Sequence, residues 1–416
     1  MILKGSIALP GDKSLSHRAL MFASLSSERS VIENLSTGKD LKSTRDCLQK
    51  CGMSWYFDNQ NMIIKGGSFQ PPDAPLACGN SGTTARLLSG LLAGHQINAT
   101  LTGDQSLSSR PMARIIEPLQ KMGAHITGTD GKLPISIHAS NIHGIDYEPP
   151  VASAQVKSAI LFAGIHADGD TIIHERIQTR DHTENLLSAL EYPIRVDGST
   201  ITVNGSNHQH SGFHFHVPAD PSSVAFFAAG ASLLRGSEVE FKNVLINPTR
   251  FGFFKCIERM GAEIHITDHW QELNEPVADI RIRSGYLQAI RVTGQDIPAL
   301  IDELPLIAVL ATQAEGTTVV EGAAELRVKE SDRLHAICTN LRRMGAMVEE
   351  FSDGFSITGQ TPLTGIHVQT FHDHRIAMAF SIAGLIAAGN TTLDDPDCIA
   401  ISLPEFHNVL EYLTLK

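Results

Sequence analysis

The chain is expected to be an α/β protein of two domains, each holding three copies of one unit. Three observations predict this. A helix-ending phrase recurs at intervals of about 70 residues, several helices are apolar nearly all round, and short β-rich runs lie between them. The phrase is clearest at Leu119-Gln120-Lys121-Met122-Gly123-Ala124, which leads into His125-Ile126-Thr127. It returns as Leu48-Gln49-Lys50-Cys51-Gly52-Met53, as Glu258-Arg259-Met260-Gly261-Ala262, and as Arg342-Arg343-Met344-Gly345-Ala346. Glycine after the last helical turn is the left-handed C-cap. The stretch between Gly123 and Gly261 has room for one further copy near residue 192, where Leu190-Glu191-Tyr192-Pro193-Ile194 carries Pro in place of Gly. Six units of about 70 residues fill the 416-residue chain.

The apolar helices are read at 19–25, 84–93, 157–163, 223–234, 305–313 and 376–388. Helices without a polar face belong in the interior, so the sheets should lie outside them. Strands are read at runs such as Ile201-Thr202-Val203 and Ala278-Asp279-Ile280-Arg281-Ile282. The expected architecture is therefore a set of repeated units with their helices inside and their sheets outside. Val217-Pro218-Ala219-Asp220-Pro221-Ser222 joins two prolines to a helix cap halfway along the chain, and Leu9-Pro10-Gly11-Asp12-Lys13-Ser14 resembles it. The expected domains are 11–217, and 1–10 together with 218–416, the first strand pairing with the second domain. A ligand is expected in the cleft between them.

Composition removes several classes. The chain is 42% hydrophobic and 19% charged, too apolar for disorder. Its net charge of −12 argues against nonspecific nucleic-acid binding. No apolar run is long enough to span a membrane, and Met1-Ile2-Leu3-Lys4-Gly5-Ser6 lacks leader character, so a cytoplasmic protein is expected. The cysteines Cys47, Cys51, Cys78, Cys256, Cys338 and Cys398 are scattered and read as buried free thiols. His208/His210 and His214/His216 each face one side of a strand, but with no carboxylate cluster beside them no metal site is expected.

Several helix starts pair small or hydroxyl residues with a cation: Lys13-Ser14-Leu15-Ser16-His17-Arg18, Gly79-Asn80-Ser81-Gly82-Thr83-Thr84-Ala85-Arg86, Ser106-Leu107-Ser108-Ser109-Arg110-Pro111, Ser153-Ala154-Gln155-Val156-Lys157, and Thr179-Arg180-Asp181-His182-Thr183. Free N–H groups and the positive end of the helix dipole attract anions. Lysine adds a point charge and arginine a fork for carboxylate or phosphate. One such turn is an ordinary cap; recurrence through successive units points to a shared anionic ligand. Neither a Walker loop nor a dinucleotide fingerprint is present. In the second half, Arg327-Val328-Lys329-Glu330-Ser331-Asp332-Arg333 packs five charges into seven residues, a pattern that also suits a solvated helix start. Asp302 and the run His372-Asp373-His374-Arg375 abut apolar helices, where charge must be paired or functional.

Pro10 to Arg18, Gly79 to Arg86, Arg110-Pro111, Arg327 to Arg333 and Asp373-His374-Arg375, in this order, resemble the 5-enolpyruvylshikimate-3-phosphate synthase family over nearly the whole chain. The resemblance implies the inside-out α/β prism, two domains each of three βαβαββ-type units around buried helices, and the condensation of shikimate 3-phosphate with phosphoenolpyruvate. By similarity, Lys13, Arg110, Asp302, Glu330, Arg333 and Arg375 surround phosphoenolpyruvate. Ser14, Arg18, Ser153, Gln155, Thr179, Asp302 and Lys329 surround shikimate 3-phosphate, with Lys157 and Arg180 as further phosphate cations. Asn80 and Gly82 line the enolpyruvyl wall, Ala154 stands where many relatives have a second serine, and His374 lies in the last motif. Asp302, Glu330 and Lys13 are the implied proton-handling groups. No metal or organic cofactor is implied, and a monomer is expected.

Counting only these residues, the site is strongly positive within an acidic protein, which favours capture of anions. Mutual repulsion of the empty cationic faces further predicts closure on substrate. The C-terminal stretch Ile401-Ser402-Leu403-Pro404 lacks the lysine that some relatives carry there. The alternatives are UDP-N-acetylglucosamine enolpyruvyl transferase, whose usual loop cysteine is missing from 102–112, and a noncatalytic phosphoanion-binding protein.

Overall fold

The six apolar helices form at Lys13–Leu25, Gly82–Gly94, Ala154–Gly164, Pro221–Leu233, Leu304–Ala311 and His374–Gly384. Each starts earlier than its apolar run suggests, and in four of them a side chain caps the first turn. Ser81 accepts from Thr84 N–H, Ser153 from Val156 N–H, Asp220 from Ser222 N–H and Asp373 from Arg375 N–H. Such caps satisfy donors that the helix itself leaves open. The computed structural model describes residues 1–67, 69–205 and 208–414.

Among the described residues, five four-stranded sheets share one plan: a parallel pair, then an antiparallel partner, then the strand that precedes that partner in sequence. One orders His214–His216, Arg29–Glu33, Asn61–Lys65 and Ser54–Asp58. The others follow suit, for example Asp146–Tyr147, Asp170–His174, Thr200–Asn204 and Ile194–Asp197. In the last place, His367–Val368 and Thr392–Leu393 form only the parallel pair. Burial alternates along strands such as Lys132–His138, so one face packs inward and the other meets solvent.

The recurring glycines do what the C-cap pattern predicts. Gly52, Gly123, Gly261 and Gly345 all have φ between +94° and +102°. The fourth copy needs a correction: the left-handed place belongs to Glu191, at φ +61°, and not to Pro193. Glu191 N–H bonds Ser188 O and Tyr192 N–H bonds Leu187 O, matching Gly123 to Gln120 and Ala124 to Leu119. Proline, with φ fixed negative, could not take that place.

The chain divides into two compact units. One comprises 1–12, 218–270 and 276–416; the other comprises 13–217 and 271–275. The break expected after residue 10 falls after Asp12, since Gly11 bridges Ala219 and Asp12 N–H bonds Pro218 O at 2.7 Å. The turn 271–275 joins the 13–217 unit because His182 Nδ1 and Asn185 Nδ2 both bond Glu275 Oε1, at 2.9 and 3.1 Å. In the first unit, strand Lys4–Ala8 lies parallel to Glu238–Leu245, and helices Pro221–Leu233, Leu304–Ala311 and His374–Gly384 pack pairwise. In the second, helix Gly82–Gly94 packs against Ala154–Gly164 so closely that a Cβ on Gly90 would sit 2.0 Å from Ala159 O. All six cysteines are free and buried. Among the described residues no helix is long and apolar enough to cross a membrane.

Candidate active site

In the 13–217 unit the expected residues cluster where the three buried helices begin. Arg18, 2% exposed, spreads its guanidinium over Thr183 Oγ1 (2.8 Å), Ser158 Oγ (2.6 Å) and the Ser14 carbonyl (2.9 Å). Arg110 Nη2 donates to Asn80 Oδ1 (2.6 Å) and Ser106 Oγ (3.2 Å), and Asn80 Nδ2 donates to Asp104 (2.8 Å). Gly82 is buried beside them: an added Cβ would stand 2.8 Å from Arg86 Nη1 and 3.5 Å from Arg110 Nη1. Arg86 in turn holds Gln155 Oε1 (2.6 Å), while Gln155 Nε2 donates to Thr83 (3.0 Å). Ser153 caps the helix that Ala154 opens, and both are half-buried, as is Arg180.

The sequence count treated the lysines here as open charges; the structure corrects this. Lys13 Nζ lies 3.1 Å from Asp40 Oδ2. Lys157, 1% exposed, is gripped by Glu175 (2.9 Å) and Glu184 (2.6 Å) and also reaches the Thr179 carbonyl (3.5 Å). Glu175 Oε1 accepts from Thr179 N–H and from its hydroxyl. Burial pushes the Glu184 carboxyl above its ordinary range, and Lys157 offsets part of that rise. Asp40, Glu175 and Glu184 lie 18 or more residues away from the lysines they hold, so nothing local marks the pairing. The available signal was general: a lysine inside an apolar helix requires a carboxylate.

In the other unit Asp302, Lys329, Glu330, Arg333 and Arg375 come together. Asp302 faces three cations: Arg333 (3.2 Å), Arg375 (3.7 Å) and Lys329 (3.9 Å). Arg333 also binds Glu330 and, through Nε, Asp373 at 2.7 Å. Arg333 is 1% exposed, which overturns the solvated reading for that residue; the segment before it is half-buried or exposed, and Arg327 and Asp332 form an ordinary pair, at 2.9 Å. Burial works against the Arg333 charge, but Asp373, Glu330 and Asp302 outweigh it and hold the guanidinium protonated. Burial likewise raises Asp373, yet Arg333 more than compensates and leaves its carboxyl below the ordinary range. Arg375 donates to the Asp302 carbonyl (3.1 Å) and to Glu303 (3.2 Å). His374 is buried at the same helix start. Asp373 and Glu303 were missed as partners, although both lie next to residues that were named.

Elsewhere, a carboxylate does accompany His214 and His216. Glu33 from the neighbouring strand bonds both, at 2.9 and 3.2 Å, and they hold its carboxyl below the ordinary range. His208 and His210 instead bond backbone carbonyls of Leu190, Ser211 and Phe22. Asp181, His182 and Glu275 place ligand-type atoms within 4.8 Å of one another. His182 and Glu275 in that group already hydrogen-bond each other.

Fold and site together define an α/β protein whose capped helix starts and guanidinium–carboxylate clusters suit small, multiply anionic substrates and proton transfer. The family model for EPSP synthase (3-phosphoshikimate 1-carboxyvinyltransferase) matches residues 2–410. A 3-phosphoshikimate 1-carboxyvinyltransferase from Geobacillus thermodenitrificans is 46% identical, covering 97% of this chain and 95% of its own. One from Thermodesulfovibrio yellowstonii is 47% identical over 99% and 97%. The solved EPSP synthase of Acinetobacter baumannii superposes with a TM-score of 0.89 at 40% identity, covering 99% of this chain and 96% of that one. The chain belongs to the EPSP synthase family.

Proposed function

We propose that the chain transfers the enolpyruvyl group of phosphoenolpyruvate to the 5-hydroxyl of shikimate 3-phosphate and releases phosphate, a step toward the aromatic amino acids. The observation that carries this is the Asp302 cluster: two catalytic-type acids, Asp302 and Glu330, share one pocket of charge with Lys329, Arg333 and Arg375. Anion grip and proton handling are thereby supplied by one set of side chains.

Lys13, Arg110, Asp302, Glu330, Arg333 and Arg375 are assigned to phosphoenolpyruvate. Ser14, Arg18, Ser153, Gln155, Thr179, Asp302 and Lys329 are assigned to shikimate 3-phosphate. Arg180 is a further phosphate cation, and Asn80 and Gly82 line the enolpyruvyl wall. Lys157, held by two buried glutamates, fits better as the support of Thr179 than as a direct phosphate ligand. Asp302 takes the proton of the attacking hydroxyl as its oxygen bonds C2. Glu330 delivers a proton to C3, and withdraws one again as the C2–O bond to phosphate breaks. Lys13 clamps the departing phosphate and relays protons. The enol phosphate is itself activated, so no step calls for a metal or organic cofactor. Residues 396–414 contain no lysine or arginine, so the grip on phosphoenolpyruvate rests on the cations named above.

The repeated sheet plan and the all-round burial of the six helices support the inside-out prism for each unit. A cytoplasmic monomer fits this chemistry. The test is phosphate release from phosphoenolpyruvate with each acceptor in turn. Release with shikimate 3-phosphate alone is expected; release only with UDP-N-acetylglucosamine, or with neither, would overturn the assignment.

A further inference from the structure

The chain leaves the first unit after Asp12 and re-enters it at Pro218. These two crossings run side by side: Gly11 bridges Ala219, Asp12 N–H bonds Pro218 O at 2.7 Å, and Asp220 N–H bonds Pro10 O at 3.2 Å. Arg250 lies over them with its side chain only 3% exposed. The two N–H groups of its Nη2 are shared among Asp12 Oδ2 (2.9 Å), Asp220 Oδ1 (2.9 Å) and Ser222 Oγ (3.0 Å). The Ser222 hydroxyl donates onward to Glu303 Oε1, the same oxygen that accepts from Arg375 Nη1 at 3.2 Å. An unbroken buried relay thus runs from the two crossings to Arg375, within one unit.

We propose that Arg250 is a positioning residue for the reaction: it anchors Asp12, the residue before Lys13, and through Ser222 and Glu303 it sets the direction of the Arg375 guanidinium. This rests on the assignment of Lys13 and Arg375 to phosphoenolpyruvate. Joining the two crossings needs only Asp12 and Asp220. The extension through Ser222 is what gives the device a role at the anion site. Glu303, 3% exposed, takes both the Ser222 hydroxyl and Arg375 on one oxygen, Oε1. All three contacts are made at one nitrogen, Nη2, which the planar guanidinium holds in a fixed direction, whereas lysine offers a mobile point charge. Removing one link should misdirect Arg375 without removing any group that touches substrate, and small misplacements of this kind are costly in the transition state.

The decisive variant is Ser222→Ala, which cuts the relay and leaves the Arg250 ion pairs in place; Arg250→Lys is its companion. For Ser222→Ala the KM for phosphoenolpyruvate should rise about 5-fold or more, with the KM for shikimate 3-phosphate within about 2-fold. Its thermal midpoint should stay within about 2 °C of the parent. Arg250→Lys should show the same KM split together with a kcat lowered about 10-fold, through Lys13. An unchanged KM for phosphoenolpyruvate in Ser222→Ala overturns the proposal. So does an equal rise in both KM values with a fallen midpoint, which marks a merely structural role. If the parent protein releases no phosphate with shikimate 3-phosphate, the underlying assignment fails instead. Calorimetric affinities of parent and Ser222→Ala for phosphoenolpyruvate then decide the relay alone.

Discussion

Lys157 shows how burial converts a charge into a partnership. It sits in a helix whose other residues from Val156 to Gly164 are buried, and two glutamates meet its ammonium. Lys157→Met would leave both carboxylates buried without their cation. The expected loss is about 3–5 kcal/mol of unfolding free energy at neutral pH. Glu184 is already raised by burial, so it would take up a proton as pH falls and the loss relative to the parent should shrink. Urea unfolding of both proteins at two pH values checks this, and a pH-independent difference would speak against it. The cations of the site were legible from sequence as residues, but their partners were not. Arg333 finds Asp373 forty residues away, and Lys157 finds Glu184 across a strand and a turn. Pairing over such distances is created by the fold, and only its necessity can be read beforehand.

At the scale of elements, the helices and their ends were the most legible features. Glycine at Gly52, Gly123, Gly261 and Gly345 marks a left-handed turn because other residues pay for that conformation in strain. The same logic misplaced the turn of the copy at Leu190–Ile194, given to Pro193, because the left-handed residue is Glu191, an ordinary residue on which the fold imposes that turn. The apolar runs alone place the helix starts too late; the polar first turn Lys13 to Arg18, read separately as a helix start, belongs to the same helix, and Arg18 is paired there. Gly90 is a separate case, required by approach rather than by φ. With 2.0 Å between a built Cβ and Ala159 O, Gly90→Ala must push helix Gly82–Gly94 away from Ala154–Gly164. A destabilisation of about 1–3 kcal/mol is expected by chemical denaturation. Kinetic parameters measured well below the midpoint should change less, unless the helix starts that carry Gly82 and Gln155 move with it.

For the molecule as a whole, the fold class could be read because a repeat multiplies weak signals. Stability against pH follows from a half-buried pair outside the site. The His95 and His166 rings lie 4.1 Å apart, tilted by 51°, and Phe69 stacks on His95 at 4.2 Å. Burial, with His166 adding a smaller part, pushes His95 down to about 3; burial alone takes His166 to about 4. Both folded values lie below the ordinary histidine value. Their contribution is therefore full above about pH 6.5 and is lost as pH falls toward 4, because the unfolded chain binds the protons first. Replacing His166 with Phe should flatten the fall of the urea midpoint between pH 7 and 5, and an unaltered slope would contradict it.

The most direct measurement of the proposed chemistry is turnover of Glu330→Gln in deuterated water, with substrate affinities determined in parallel. If Glu330 moves the C3 proton, affinities for both substrates stay within about 3-fold, kcat falls about 100-fold or more, and deuterium entry at C3 falls with it. A variant that turns over and incorporates deuterium at the parent rate would remove Glu330 from the reaction and contradict its assignment to the C3 proton.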